Sequence, residues 1–319
     1  MSIGSILSET NHTLVAAQLE SIGDFLRYAT SEFNQAELFF GHGTTNAWDE
    51  ATTLVMSVLN LPEELTKQVF SCRLLNDEKL ALLDIVNRRI VEGIPAAYLT
   101  NQATFANLPF YVDERVLVPR SPIGELIENS FKDIIAEDSP PAHILDLCTG
   151  SGCIAIACAY AFPNAEIDAV DLSIDALNVA QINIESHGLT EQVIPIQSDV
   201  FSGVLGLSYD LIVSNPPYVD QDDVDSLPQE YSHEPEMGLG SGLDGLDIVR
   251  RILNEAASHL NDNGILICEV GNSQIHVEAV YPMVPFKWLE FERGGHGVFM
   301  LTKAQLIEFT DDIKQQIKE

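Results

Sequence analysis

Apolar positions in the first hundred residues recur at helical spacing. Leu14, Val15, Leu19, Ile22, Phe25, Leu26 and Tyr28 share one face of a segment from Leu14 to Phe33. Trp48 to Leu59 and Leu80 to Val91 repeat the pattern, with cap-type side chains at Asn76, Asp77 and Glu78 and punctuation at Pro62 and Pro95. Residues 1–98 therefore read as a small helical domain of four or five helices. From Thr104 to Pro119 the period changes. Phe105, Leu108, Phe110, Val112, Val116 and Val118 flank a turn placed at Asp113-Glu114, so residues 99–121 read as a β-hairpin linker.

Residues 122–319 alternate short β-type runs with helical ones. The strands fall at Ile144 to Leu147, Glu166 to Val170, Val193 to Gln197, Leu211 to Ser214, Ile265 to Val270, Trp288 to Phe291 and Gly297 to Thr302. Helices at Cys153 to Ala161, Ile174 to His187 and Leu246 to Leu260 separate most of them. This alternation predicts a doubly wound, mostly parallel α/β sheet of seven strands. The last two strands, joined by a tight turn at Gly294-Gly295, form an antiparallel edge. A ligand is expected at the carboxyl ends of the strands.

Charge changes the picture of partners. The chain of 319 residues has 16 Lys and Arg against 48 Asp and Glu, a net charge of −32. No Lys or Arg lies between Lys132 and Arg250. Direct nucleic-acid readout is not expected, because phosphates need a basic face. An acidic surface draws basic partners, or simply keeps the chain soluble; both readings stand. No run of 18 apolar residues exists, so no membrane span is expected. Met1 to Thr13 lacks the features of a secretory leader, which makes a cytoplasmic address the expectation. Cys72, Cys148, Cys153, Cys158 and Cys268 form no CxxC pair and read as reduced, packed thiols, with no metal site.

Two constellations carry chemistry. Strand Ile144 to Leu147 runs through Cys148 and Thr149 into Gly150-Ser151-Gly152 and then a helix. Glycines let backbone approach a ligand, and the helix start presents free N–H groups. Asp171, after the next strand, suits two ribose hydroxyls. Asp199 suits an adenine amine, with the backbone N–H of Val200 beside it. A relaxed dinucleotide pattern fits these residues too, so a nicotinamide dehydrogenase remains open. Asp146 argues for a cationic ligand tail and against a pyrophosphate.

The second constellation is Asn215-Pro216-Pro217-Tyr218, directly after an apolar strand. The prolines stiffen the turn and leave carbonyls as acceptors. Asn215 adds a side-chain carbonyl. Such a corner can hold both hydrogens of a planar –NH₂, with Tyr218 packing on the flat target. It suits methyl transfer to an amide or to a flipped adenine. The acids that follow, Asp220, Asp222, Asp223, Asp225, Glu230, Glu234 and Glu236, form a candidate steering loop. His233 and His296 read as structural, and Gly238 to Gly245 as a flexible connection or a closing flap.

These residues resemble the HemK-type protein-glutamine N5-methyltransferases. The likeness covers nearly the whole chain and rests on Val116-Leu117-Val118-Pro119-Arg120, Asp146 to Gly152, Asn215 to Tyr218, Asp244-Gly245-Leu246-Asp247 and Glu269-Val270-Gly271. It implies a Rossmann-like class I methyltransferase domain over residues 122–319, behind a substrate-recognition domain. It implies S-adenosylmethionine at Asp146, Leu147, Cys148, Thr149, Gly150, Gly152, Asp171, Asp199, Val200 and Asn215, with Pro119 and Arg120 as further candidates. Arg120 is open to pairing with Asp146, with the cofactor carboxylate or with a surface acid. The substrate glutamine would be held by Asn215 and Pro216, with Pro217 and Tyr218 completing the catalytic turn. Pro119-Arg120-Ser121-Pro122 departs from the Pro-Arg-Pro run of the release-factor branch. The chain is thus similar to the branch that methylates large-subunit ribosomal protein three, a basic substrate. The release-factor glutamine is the alternative. A DNA adenine methyltransferase, and an assembly factor whose catalysis is incidental, stand further off.

Overall fold

The computed structural model describes residues 14–224 and 227–316. Met1 to Thr13 and Asp225, both used above, lie outside them, as does the side chain of Asp222. The chain divides into two units. One comprises residues up to Gln102 together with Pro228–His233; the other comprises Ala103–Leu227 and Glu234 onward. The hairpin expected as a linker belongs to the second.

In the helical unit, α1 spans Ile22–Gln35, α2 Ala47–Val58, α3 Asn76–Asn87 and α4 Ala96–Thr100. The helix expected from Leu14 to Phe33 is broken. Ser21 caps a new start, with its hydroxyl accepting from Asp24 N–H at 3.2 Å and Asp24 Oδ2 accepting from Ser21 N–H at 2.9 Å. Asn46 caps α2 more simply, its side-chain oxygen accepting from Asp49 N–H at 3.0 Å. Phe25, Leu26, Val55, Leu82 and Leu83 form one apolar cluster and Phe33, Leu54 and Val86 another. Beyond α3 the chain makes a π-turn at Arg88–Glu92 and ends in the left-handed conformation at Gly93. This turn buries Arg89. Its guanidinium meets Glu50 Oε1 at 2.6 Å, Glu230 Oε1 at 3.3 Å and the Phe39 carbonyl at 2.9 Å.

The second unit opens with β1 (Ala103–Phe105) and β2 (Leu108–Phe110), an antiparallel pair. Their turn lies at Ala106-Asn107, both at positive φ, and not at Asp113-Glu114. That geometry matches the twist of a two-residue hairpin. Asp113 instead binds the Tyr111 hydroxyl and the Arg115 guanidinium.

The seven-stranded sheet comprises β3 (His143–Leu147), β4 (Glu166–Asp171), β5 (Val193–Gln197), β6 (Tyr209–Ser214), β7 (Leu260–Glu269), β8 (Lys287–Trp288) and β9 (Val298–Thr302). Its order is β5-β4-β3-β6-β7-β9-β8. The first five are parallel, and β9 runs antiparallel to both β7 and β8. The tight Gly294-Gly295 connection is not formed. The β8 ladder ends early, and the chain leaves the sheet until Val298.

The strands alternate sides. Ile144, Leu211, Val213 and Ile267 face the cluster of α5 (Ile123–Glu128), α6 (Cys153–Ala161) and α7 (Ile174–Ser186). Leu145, Leu147, Ile212 and Leu266 face α8 (Asp247–Glu255) on the other side. Burial on both faces explains why these strands read as continuous apolar runs. Cys153, Cys158 and Cys268 are buried and Cys148 half-buried, but Cys72 is exposed, against expectation. No helix among the described residues is long and apolar enough to cross a membrane.

Candidate active site

The strand order reverses between β3 and β6, so the connections leaving them pass to opposite faces of the sheet and open a crevice above their carboxyl ends. Cys148, Asp171, Asp199, Asn215 and Glu269 all sit at or just past strand carboxyl ends.

The glycine turn is built from within. Asp146 lies on the α6 face of β3 and is 0% exposed. Its Oδ2 accepts from the Thr149 hydroxyl at 2.5 Å and from Ala155 N–H at 3.0 Å, tying the turn to the first turn of α6. Its Oδ1 has no hydrogen-bond partner among the described residues. Burial pushes the Asp146 carboxyl up to about 7, against the pull of those two bonds. Asp146 thus shapes the loop from behind. The pairing of Arg120 with Asp146 is not formed.

Cys148, Gly150 and Gly152 all have positive φ. A side chain at Gly152 would meet Ala180 of α7 at 3.2 Å, whereas one at Gly150 would meet nothing within 4 Å. Gly152 therefore serves packing, and Gly150 faces open space where a ligand can approach. Asp171 bridges the turn, accepting from Gly150 N–H through Oδ2 and from Ser173 N–H through Oδ1, each at 2.9 Å. A carboxylate has acceptor capacity beyond two bonds, so both oxygens can still take hydroxyl donors. Burial raises the Asp171 carboxyl above its ordinary range.

Past β5, Asp199 accepts from Arg251 at 2.7 Å, which holds its carboxyl below the ordinary range. Val200 is buried at φ 51, a strained position for a β-branched residue. Among the described residues, nothing accepts from its N–H.

The tetrapeptide follows β6. Ser214 anchors its start by donating to the Leu147 carbonyl at 2.9 Å. Among the described residues, no group hydrogen-bonds the Asn215 side chain. Tyr218 is held on several sides. Its hydroxyl donates to Glu269 Oε1 at 2.8 Å, and its carbonyl accepts from Ser273 Oγ at 2.7 Å. A side chain at Gly245 would strike that carbonyl at 2.2 Å, and one at Gly271 would strike the ring at 2.6 Å. Val219 pairs with Leu239 and Ser241, so the glycine-bearing stretch from Gly238 to Gly245 braces the turn; it is no loose connection.

Several expectations change here. Arg120 forms a two-pronged pair with Glu234 at 2.5 and 2.7 Å, and Glu234 also accepts from Val118 N–H. Glu230 and Glu234, both buried, serve internal pairs, so the acidic loop loses two of its steering charges. His233 binds the Glu92 carbonyl and His296 the Asn272 side chain, consistent with structural histidines. Sequence reasoning assigned no role to Glu269, Ser121 or Arg251. The one available signal was that Glu269 closes an apolar strand with an acid, as Asp171 does.

Residues 132–231 match the methyltransferase small domain family. A protein from Neisseria gonorrhoeae named ribosomal protein uL3 glutamine methyltransferase is 53% identical over 292 residues, covering 92% of this chain and 97% of its own. The protein of the same name from Neisseria meningitidis is 52% identical, covering 92% and 96%. Among solved structures, a methyltransferase from Pyrococcus furiosus is similar with a TM-score of 0.44 and 18% identity, over 70% of this chain and 95% of that one. With identity at this level along most of its length, the chain belongs to the ribosomal protein uL3 glutamine methyltransferase family.

Proposed function

We propose that this enzyme transfers a methyl group from S-adenosylmethionine to the side-chain amide nitrogen of a glutamine in large-subunit ribosomal protein uL3. The observation that carries the reading is the braced turn at Asn215-Pro216, whose Asn215 amide has no hydrogen-bond partner among the described residues, in a chain so similar to the named relatives.

S-adenosylmethionine, the donor for this class of enzyme, supplies a methyl on a positively charged sulfur. The cradle fits it. Gly150 leaves space, Asp171 keeps acceptor capacity for two ribose hydroxyls, and Val200 N–H and Asp199 suit the adenine edge. Leu147, Cys148, Thr149 and Gly152 form the wall of the turn. Asp146 holds the turn in shape through Thr149 and Ala155.

An amide nitrogen is a weak nucleophile because its lone pair is delocalised. Asn215 Oδ1 and the Pro216 carbonyl would each accept one of its hydrogens, strip its water and aim it. Positioning of this kind supplies up to ~7–11 kcal/mol of a barrier. Acceptors preset toward a nitrogen gaining positive charge add ~3 kcal/mol each. Pro217 stiffens the turn and Tyr218 closes it.

The substrate would be basic, and the surface charge favours its encounter while disfavouring nucleic acid. Such a substrate suits a cytoplasmic address. The test is incubation with labelled cofactor and ribosomal proteins from unmethylated cells, followed by mass spectrometry of the labelled peptide. Label on a uL3 glutamine supports the reading. Label confined to a release factor transfers it to the other branch, and label on DNA overturns it.

A further inference from the structure

We propose that Glu269 is the positioning residue of the acceptor turn, receiving the hydroxyls of Tyr218 and Ser121 and placing a fixed negative charge behind Asn215. The proposal rests on the reading that Asn215 and Pro216 hold the target amide.

The placement follows from register. Ser214 of β6 pairs with Cys268 of β7, so Asn215, the first residue past β6, lies beside Glu269, the last residue of β7. Glu269 is only 4% exposed. One oxygen accepts from Tyr218 at 2.8 Å and the other from Ser121 at 2.5 Å. Tyr218 belongs to the tetrapeptide and Ser121 to the stretch entering α5. One carboxylate therefore ties together three segments remote in sequence.

Structure alone does not call for an acid here. Burying a carboxylate is unfavourable, and well-packed apolar residues do the structural task as well or better. An ionised carboxylate accepts two hydroxyls at once, whereas a protonated one must offer a donor to one of them. The anion takes both hydroxyls as donors, whereas the neutral acid turns one of those bonds around. The anion also favours positive charge gathering on a nitrogen at the neighbouring turn.

The groups around Glu269 are accounted for. Arg120 approaches from the stretch before α5 and is itself paired with Glu234. Tyr218 approaches from the end of β6, and β9 offers Val298 opposite, which does not titrate. Cys268 precedes it on its own strand, and its thiol is raised far above ordinary by burial. Burial raises the Glu269 carboxyl, while the two hydroxyls and Arg120 oppose the rise. Loss of the proton from Glu269 should thus appear as an acid limb in the pH profile of kcat.

The test uses the full-length enzyme with unmethylated uL3. Glu269→Gln should keep its melting temperature near that of the parent and lower kcat about 10- to 100-fold, as a misplaced reacting group does. Its KM for S-adenosylmethionine should stay within about 3-fold, since the cofactor cradle is untouched. The acid limb should vanish. Tyr218→Phe should lower kcat in the same direction, and the double variant should be no slower than the slower single one. A Glu269→Gln enzyme with parental kcat and parental acid limb overturns the proposal. Should that variant not fold, Tyr218→Phe decides, and parental kcat there overturns it. Asn215→Ala separates the two readings. If Asn215→Ala is fully active, the acceptor turn itself is wrong; if it is inactive while Glu269→Gln is normal, only this proposal falls.

Discussion

Asp146 gives the fold an unusual dependence on pH. Its carboxyl titrates at about 7 in the folded chain and near ~3.9 in an unfolded one. Between those values the native state keeps a proton that the unfolded chain has released. Stability therefore falls as pH rises through this window, the reverse of a carboxylate held by a salt bridge. At ~1.4 kcal/mol per tenfold, the whole gap is worth ~4 kcal/mol, of which roughly 2–3 kcal/mol falls between about pH 5 and pH 8. Asp146→Asn isolates it. The amide oxygen keeps the bonds from Thr149 and Ala155, and the –NH₂ takes the place of the unpartnered Oδ1. Any packing cost of the amide is the same at every pH, and the raised carboxyl of Glu269 contributes to both proteins alike, while the charge of Asp171 is part of what raises Asp146 and so part of the difference read. Urea unfolding of the cofactor-free pair across this range gives the difference in stability. The variant should gain on the parent by roughly 2–3 kcal/mol from about pH 5 to pH 8. A difference that stays flat refutes the reasoning.

Other expectations follow from the same geometry. Arg89→Met should cost ~3–5 kcal/mol in urea unfolding, because Glu50 and Glu230 are left buried without their cation. Asn215→Ala should lower kcat by about 10²- to 10³-fold while calorimetry finds cofactor binding intact. Gly271→Ala should displace the Tyr218 ring it would strike and depress kcat with the melting temperature little changed; normal kcat would mean the ring position is immaterial. Raising salt from about 50 to 300 mM should lower kcat/KM on uL3 but not on a short neutral glutamine peptide, by screening of the acidic surface. Equal loss on both substrates would count against charge steering.

Elements set by local chemistry were legible in the chain. Helix α6 and strand β5 fall where periodicity places them, because apolar runs and flanking glycines act at short range. The hairpin turn was misplaced for a physical reason. Asp113-Glu114 looks polar enough for a turn, yet Asn107 tolerates the left-handed backbone that a two-residue hairpin requires. The antiparallel final edge is as expected, but its connection was misread, because Gly294-Gly295 marks flexible backbone without specifying how short the loop is. At the site, the glycine turn and the tetrapeptide are contiguous and readable. Glu269 is not, since its partners Ser121 and Tyr218 lie 148 and 51 residues away. An acid closing an apolar strand marks Glu269 as a candidate, but nothing local to it names Ser121 and Tyr218 as its partners.

The six residues Pro228–His233 matter for anyone who would recombine this protein with its relatives. They belong to the helical unit, yet they are spelled out after the tetrapeptide. A fragment ending at Gln102 leaves Arg89 with Glu50 but deprives it of Glu230, and removes the carboxylate that binds Phe39 N–H. A chimera that exchanges the amino-terminal helices must therefore carry a second, distant splice. The helical unit is not a detachable module, and a single crossover point cannot excise it whole.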